Sequence, residues 1–118
     1  MGDLVLAGRS ILLVEDEPLV RMNVGQLLQG AGAAVFTASH LEQALRLAEH
    51  PDLSAGVLNF QLPKGDSTPI CWRLTDRSIP FVFHSAAPYR EFRQWPQAPV
   101  LIKPMTHRLV ATMAGLFR

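Results

Sequence analysis

Cysteine is nearly absent from this chain of 118 residues, and so is any long apolar run. The single Cys71 cannot form an internal disulfide, and no group of cysteines indicates a zinc site. A membrane-spanning helix needs about 18 or more consecutive apolar residues, which the chain lacks. Its first ten residues also lack the basic segment and apolar stretch of a signal peptide. We therefore expect a cytoplasmic protein that has no membrane partner.

A charge excess of either sign is missing as well. Lys and Arg total 11 against 10 for Asp and Glu, so the net charge is +1. This balance gives no electrostatic reason to expect nucleic acid as a partner. Apolar residues make up 48% of the chain, too many for a disordered segment. The length predicts one domain over residues 1–118, with a core from about residue 10 and little room for a separate output domain.

The period of the apolar residues alternates between that of a strand and that of a helix. Short apolar runs predict strands at 10–14, 33–38, 55–60, 79–84 and 98–102. Helical stripes predict helices at 19–31, 41–48, about 69–77 and 106–117. Ser39 and Glu42 are expected to form a capping box at the start of the second helix, and Asp66 or Ser67 to cap the third. Residues 85–97 contain two prolines and predict at most a short helix near 89–95. The alternation predicts an α/β fold with five parallel strands and helices on both faces.

Polar side chains follow four of the predicted strands. Glu15 and Asp16 end the first, Asn59 ends the third, Ser85 ends the fourth and Lys103 follows the fifth. In open parallel sheets, functional groups collect at the carboxyl ends of the strands. Oxygen ligands beside a lysine are what a divalent cation and a phosphoryl group require. The sequence therefore predicts a site at this edge of the sheet.

Four segments in order, ILLVEDEP (11–18), VLNFQLPKGD (57–66), FVFHSA (81–86) and VLIKP (100–104), resemble the receiver domain of bacterial two-component response regulators. The resemblance covers nearly the whole chain. It implies a flavodoxin-like (CheY-like) three-layer sandwich with strand order 2-1-3-4-5. The segment FHSAAPY (83–89) is similar to a signature of stand-alone, single-domain receivers whose fourth helix is short or degenerate.

The resemblance also implies a role for each residue at the strand ends. Glu15 and Asp16 match the acidic pair that binds Mg²⁺ together with residue 59. Asn59 stands where the family has the aspartate that accepts a phosphoryl group. Ser85 and Lys103 match the residues that contact the phosphoryl oxygens.

The amide at residue 59 changes the expected chemistry. Phosphoryl transfer to a receiver needs an anionic carboxylate oxygen, and an amide oxygen is neutral. We therefore expect a pseudo-receiver that is not an enzyme and acts by binding another protein. Mg²⁺ would bind weakly at Glu15, Asp16 and Asn59, because one carboxylate is missing. The asparagine also removes a carboxylate that would pair with Lys103. We expect Lys103 to form a salt bridge with Asp16 or a hydrogen bond with the Asn59 oxygen instead.

Two alternatives remain. In the first, the protein is a receiver that can be phosphorylated, and Asn59 is an engineered Asp-to-Asn change rather than the natural residue. A metal-dependent phosphatase is a less favoured alternative, because the first strand ends in Glu-Asp-Glu-Pro rather than Asp-x-Asp. No glycine-rich phosphate loop follows that strand either.

The expected partners follow from the resemblance. They are a histidine kinase, a phosphotransfer protein or another receiver, and a homodimer is a further option. In the family, the face formed by the fourth helix, fifth strand and fifth helix often binds partners. Tyr89, Arg93, Trp95 and Val100 are the interface candidates there, since aromatic and arginine side chains are common hot spots. Val100 replaces an aromatic residue that often couples to the site, so we expect no such rotamer switch. We expect His84 to be a packing residue.

Overall fold

Parallel strands alternate with crossover helices in the computed structural model, which describes residues 4–118. The strands are β1 (Ser10–Val14), β2 (Ala34–Ala38), β3 (Ala55–Leu58), β4 (Gln61–Leu62), β5 (Gly65–Asp66), β6 (Phe81–Ser85) and β7 (Val100–Ile102). The helices are α1 (Pro18–Gly30), α2 (Leu41–Leu47), α3 (Thr68–Asp76) and α4 (Leu109–Gly115). Two 3-10 helices span Arg90–Gln94 and Met105–Arg108. In residues 4–118, none of the helices has the length and apolar character needed to cross a membrane.

Five of the strands form one parallel sheet of order β2-β1-β3-β6-β7, and β4 and β5 form a separate antiparallel hairpin. Since β6 and β7 are the fourth and fifth strands of the main sheet, the predicted order 2-1-3-4-5 is confirmed. Helices α2 and α3 pack on one face of this sheet, and α1 and α4 pack on the other. The three-layer α/β architecture is therefore the predicted one.

Burial explains the composition of the central strands. All four residues of β3 are buried, and so is every residue of β1 after Ser10. Because helices cover both faces, these strands need continuous apolar runs rather than alternation. Strand β2 lies at the sheet edge and is only partly buried, which fits its mixed sequence AVFTA.

Several predicted boundaries are wrong. The third strand ends at Leu58 and not at residue 60, because the chain turns there into the β4–β5 hairpin. The last helix is shorter than 106–117, since a 3-10 turn precedes α4. The N-cap of α2 is His40 rather than Ser39. His40 Nδ1 accepts from the Gln43 N–H (3.3 Å), and Gln43 Oε1, not the Glu42 side chain, accepts from the Ser39 N–H (3.1 Å).

The connection between β6 and β7 contains only the 3-10 turn Arg90–Gln94, so the predicted degenerate fourth helix is confirmed. Trp95, which follows this turn, is 2% exposed and packs against Phe81 and Phe83. The prediction that Trp95 is a surface contact was therefore wrong, because its ring is buried in the core and fixes the 3-10 turn against β6. Tyr89 is half-buried, whereas Arg93 and Val100 are exposed.

The core extends further toward the N-terminus than predicted. Leu6 is fully buried, and its N–H donates to the Ala31 carbonyl (2.8 Å) at the end of α1. Gly32 follows with φ +103°, and a Cβ placed there would lie 2.9 Å from the Ala7 nitrogen. Glycine is thus required where the N-terminal segment crosses the end of α1.

Candidate functional site

The carboxyl ends of β1, β3, β6 and β7 bring the predicted site residues to one edge of the sheet, called here the carboxyl edge. Asn59 Nδ2 lies 2.8 Å from Asp16 Oδ1, and Lys103 Nζ lies 2.8 Å from Glu15 Oε1. Ser85 Oγ accepts from the N–H of Phe60, the residue after Asn59 (3.0 Å). Because the four strands are neighbours in the sheet, segments nearly ninety positions apart meet here.

The side chain of Asn59 is buried, with 9% exposure, and its orientation is set by its neighbours. Its Nδ2 donates to Asp16 Oδ1 and to the Gln61 carbonyl (3.0 Å). Both partners are acceptors, so only the nitrogen of the amide fits between them. An aspartate in this place would set a carboxylate oxygen against two acceptors. The local contacts are therefore matched to an amide.

Lys103 pairs with Glu15, so the expectation of a pair with Asp16 or Asn59 was wrong. Glu15 is 1% exposed, and burial raises the pKa of its carboxyl, although the Lys103 hydrogen bond and charge act in the opposite direction. Glu17 lies 3.7 Å from the same ammonium and is exposed. Asp16 is held by Asn59, which leaves the buried Glu15 as the carboxylate in greatest need of a cation.

Two hydroxyls hold the backbone around Asn59. Ser85 is fully buried at the Phe60 N–H, and Ser67 Oγ donates to the Asn59 carbonyl (2.5 Å). Ser67 stands at the N-cap position of α3, as one of the two predicted candidates, but its side chain makes no cap hydrogen bond. Asp66 supplies one instead, since its Oδ1 accepts from the Thr68 N–H (2.8 Å). The peptide group between Asn59 and Phe60 is consequently held at both its carbonyl and its N–H.

Arg21 is a site residue that the sequence did not reveal. From α1, its Nη1 donates to the carbonyl of Glu15 (2.9 Å) and more weakly to that of Asp16 (3.5 Å). The guanidinium thus holds the acidic loop by its backbone and leaves the carboxylates to other partners. An arginine in the first turns of an amphipathic helix gives no sequence signal for this role.

His84 lies under the site and is 2% exposed. Burial, and to a smaller degree the charge of Lys103, lowers the pKa of its imidazole to about 4. Its Nε2 lies 3.4 Å from Thr106 Oγ1. A neutral, enclosed imidazole agrees with the expected packing role.

The side chains in this arrangement do not fit a magnesium ion. Glu15 gives one oxygen to Lys103 and the other to the Glu17 N–H (3.2 Å), and Asp16 Oδ1 is bonded to Asn59. Asn59 turns its nitrogen, not its oxygen, toward Asp16, whereas Mg²⁺ needs oxygen ligands in near-ideal octahedral positions. Within residues 4–118, no group of three or more His, Cys, Asp and Glu side chains is placed to hold a metal.

A cleft of about 720 Å³ opens beside Asp16. It runs between the start of α2 and the β4–β5 hairpin, and His40, Leu62 and Lys64 line its walls. The carboxyl edge can therefore be approached from this side.

Comparisons with known proteins agree on one family. A family model described as response regulator receiver domain matches residues 11–106. The KDP operon transcriptional regulatory protein KdpE of Escherichia coli is 33% identical over 79% of this chain and 33% of its own length. The chain thus spans about a third of the length of the curated relatives it matches.

Solved structures show the same fold. A response regulator receiver protein from Sinorhizobium medicae superposes with a TM-score of 0.84 at 21% identity, covering 92% of this chain and 94% of that one. SdrG from Sphingomonas melonis superposes with a TM-score of 0.77 at 31% identity, covering 93% and 97%.

Proposed function

Because the chain belongs to the family of response regulator receiver domains, we propose that it is a pseudo-receiver of two-component signalling, which acts by binding another protein. Phosphoryl acceptance is lost in this proposal, and the protein has no enzymatic activity of its own. The proposal covers residues 1–118 as one receiver domain in the cytoplasm.

The observation that carries the proposal is the amide of Asn59 at the end of β3. Its nitrogen faces Asp16 and the Gln61 carbonyl, so no anionic oxygen stands where the family has its nucleophile. Lys103 is already paired with Glu15, and Asp16 accepts a hydrogen bond from the Asn59 amide. The carboxyl edge therefore holds a closed set of contacts without a phosphoryl group.

Magnesium affinity is weak in this proposal. Glu15, Asp16 and Asn59 are the residues that would contact the ion. Both oxygens of Glu15 are already engaged, by Lys103 and by the Glu17 N–H, and Asn59 presents its nitrogen rather than its oxygen to Asp16. The aspartate variant Asn59→Asp would remove the amide hydrogen bonds and add a carboxylate. We expect it to bind Mg²⁺ more tightly than the unmodified chain in a calorimetric titration.

The expected partner is a histidine kinase, a phosphotransfer protein or another receiver, with a homodimer as a further option. Arg93 and Val100 remain candidates for that contact because both are exposed, and Tyr89 remains one as a half-buried ring. KdpE is described as a transcriptional regulatory protein, but it is about three times as long as the matched region. The absence of a nucleic-acid partner stays a prediction.

The test is phosphorylation by a small-molecule donor. The unmodified chain and Asn59→Asp are incubated with acetyl phosphate and Mg²⁺, and intact mass spectrometry counts phosphoryl groups. We expect none on the unmodified chain and one on Asn59→Asp, which hydroxylamine removes as expected for an acyl phosphate. Gln61→Asn, which leaves residue 59 unchanged, is the matched control and should stay unmodified.

A hydroxylamine-labile phosphoryl group on the unmodified chain would overturn the proposal. If Asn59→Asp accepts one while the unmodified chain does not, residue 59 alone accounts for the loss. This result applies equally to a natural asparagine and to an engineered one. The phosphatase alternative fails if the unmodified chain does not hydrolyse a generic phosphate ester.

A further inference from the structure

A continuous set of aromatic rings leads from the carboxyl edge to the surface of α3. It begins at Phe60, the residue directly after Asn59. The centroid of the Phe60 ring lies 5.3 Å from that of Phe92 and 6.1 Å from that of Phe83. Phe83 and Phe92 stack on each other at 4.0 Å. Rings at such separations interact beyond simple burial of area.

Two tryptophans complete the path. Phe83 contacts Trp95 at 6.1 Å, and Trp95 meets Trp72 edge-to-face at 5.5 Å. Trp95 is 2% exposed, whereas Trp72 on α3 is 52% exposed. We call these five residues, Phe60, Phe83, Phe92, Trp95 and Trp72, the aromatic relay. It connects the residue beside Asn59 to an exposed indole.

The start of α3 provides a second connection to the same indole. Ser67 donates from its Oγ to the Asn59 carbonyl and from its N–H to the Phe60 carbonyl (2.8 Å). The Cys71 N–H in turn donates to the Ser67 carbonyl (2.9 Å), and Trp72 is the next residue of the helix. A displacement of residues 59 and 60 therefore acts on Trp72 through α3 and on Trp95 through the rings.

We propose that the aromatic relay couples the carboxyl edge to the α3 surface, so that a change of charge or contact at Asn59 alters the packing of Trp72 on Trp95. Close-packed interiors transmit small displacements rather than absorb them, which is the physical basis of this coupling. Val100 on β7 carries no ring and is 37% exposed, so the path runs through the β6–β7 connection and α3 instead.

The chain contains two tryptophans, and both belong to the relay, so their indole N–H resonances report on it selectively. Trp95 Nε1 is buried and has no hydrogen-bond partner among the described residues, which makes its resonance a measure of ring packing. The two signals are assigned in a two-dimensional ¹H–¹⁵N NMR spectrum with Trp72→Phe.

Asn59→Asp is the perturbation, because it replaces the amide that faces Asp16 with a carboxylate. Gln29→Glu is the matched control. It makes the same amide-to-carboxylate exchange at an exposed position in the last turn of α1.

We expect both indole resonances to move in Asn59→Asp and to stay in place in Gln29→Glu. We then introduce Phe60→Leu into both the unmodified chain and the Asn59→Asp variant. In this background, Asn59→Asp should move the Trp95 indole resonance by roughly half or less of its original shift, because the ring contact between residue 60 and the relay is gone. If Asn59→Asp does not fold, Ser85→Ala, which removes the acceptor of the Phe60 N–H, replaces it with the same expectations.

The inference is overturned if the backbone amides of Phe60 and Ser67 shift but both indole resonances do not. It is equally overturned if Gln29→Glu moves the indoles as far, or if Phe60→Leu leaves the movement at Trp95 unchanged. No phosphate donor is used, so this result is independent of whether residue 59 accepts a phosphoryl group.

Discussion

Replacing Lys103 with methionine should destabilise the protein strongly at neutral pH, because it leaves a buried carboxylate without its cation. The ammonium lies 2.8 Å from Glu15 Oε1, and the two side chains are only 16% and 2% exposed. Methionine keeps much of the length and apolar surface of the lysine stem. The substitution thus removes the charge with little loss of packing.

The magnitude follows from the geometry of the pair. Two unit charges separated by 2.8 Å attract by roughly 6 kcal/mol at an effective dielectric constant of about 20. Desolvation offsets most of this gain while both partners are present, but removing one partner of a buried pair costs about 3–5 kcal/mol. We expect a loss near the lower end of that range, because Lys103 is partly exposed and the Glu17 N–H still contacts Glu15. Domains of this size are stable by only about 5–15 kcal/mol.

The loss should shrink in acid. Burial already raises the pKa of Glu15, and removing Lys103 removes two causes that lower it, the hydrogen bond and the charge. A carboxyl whose pKa is raised in the folded state favours folding below its unfolded pKa of 4.5, and this contribution is lost as pH rises through the folded pKa. The penalty of Lys103→Met is therefore greatest at neutral pH. Relief of the Lys103 charge on His84 acts in the same direction.

Urea unfolding, followed by tryptophan fluorescence at neutral pH and near pH 5, measures the effect. The double variant Glu15→Gln, Lys103→Met removes both charges, so we expect it to regain most of the stability. A loss below about 1 kcal/mol at neutral pH, as for an ordinary surface change, would refute the reasoning. So would a double variant that is as unstable as Lys103→Met.

Two further predictions concern the backbone and the buried histidine. Gly32→Ala should cost about 1–3 kcal/mol, because φ is +103° and the new Cβ meets the Ala7 nitrogen at 2.9 Å. The control Gly30→Ala, which meets nothing within 4 Å, should leave the thermal midpoint unchanged or raise it. The unfolded chain binds a proton at His84 near pH 6.5, whereas the folded chain binds it only near pH 4. Acidification from pH 6.5 to 4 should therefore lower the free energy of unfolding by about 3 kcal/mol. His84→Gln should flatten that part of the pH–stability profile, and an unchanged slope would contradict it.

Local patterns in the sequence were sufficient for the architecture. The alternation of short apolar runs with helical stripes predicts parallel strands, and polar residues at four strand ends predict where the site lies. Asn59 could be found in the same way, since its place after the third strand does not depend on fine geometry. These features depend on periodicity and turn chemistry, which neighbouring residues determine.

Boundaries and caps were less predictable, because competing residues stand side by side. Ser39 and His40 both precede α2, and only the turn geometry selects His40 as the cap. Trp95 shows the same limit on a larger scale. The sequence predicts an interface contact there because aromatic side chains are common hot spots, but the pocket formed by Phe81 and Phe83 buries the ring.

Local sequence patterns specify which chemical groups reach the carboxyl edge of the sheet, including an amide in place of a carboxylate at residue 59. Which of these groups pair with one another depends on the packing of the folded domain. Lys103 takes Glu15 rather than Asp16, and Arg21 holds the acidic loop by its carbonyls. The physical reason is that hydrogen bonds and ion pairs depend on differences of less than an ångström between loops far apart in sequence. Such differences are set by packing of the whole domain and leave no local pattern in the chain.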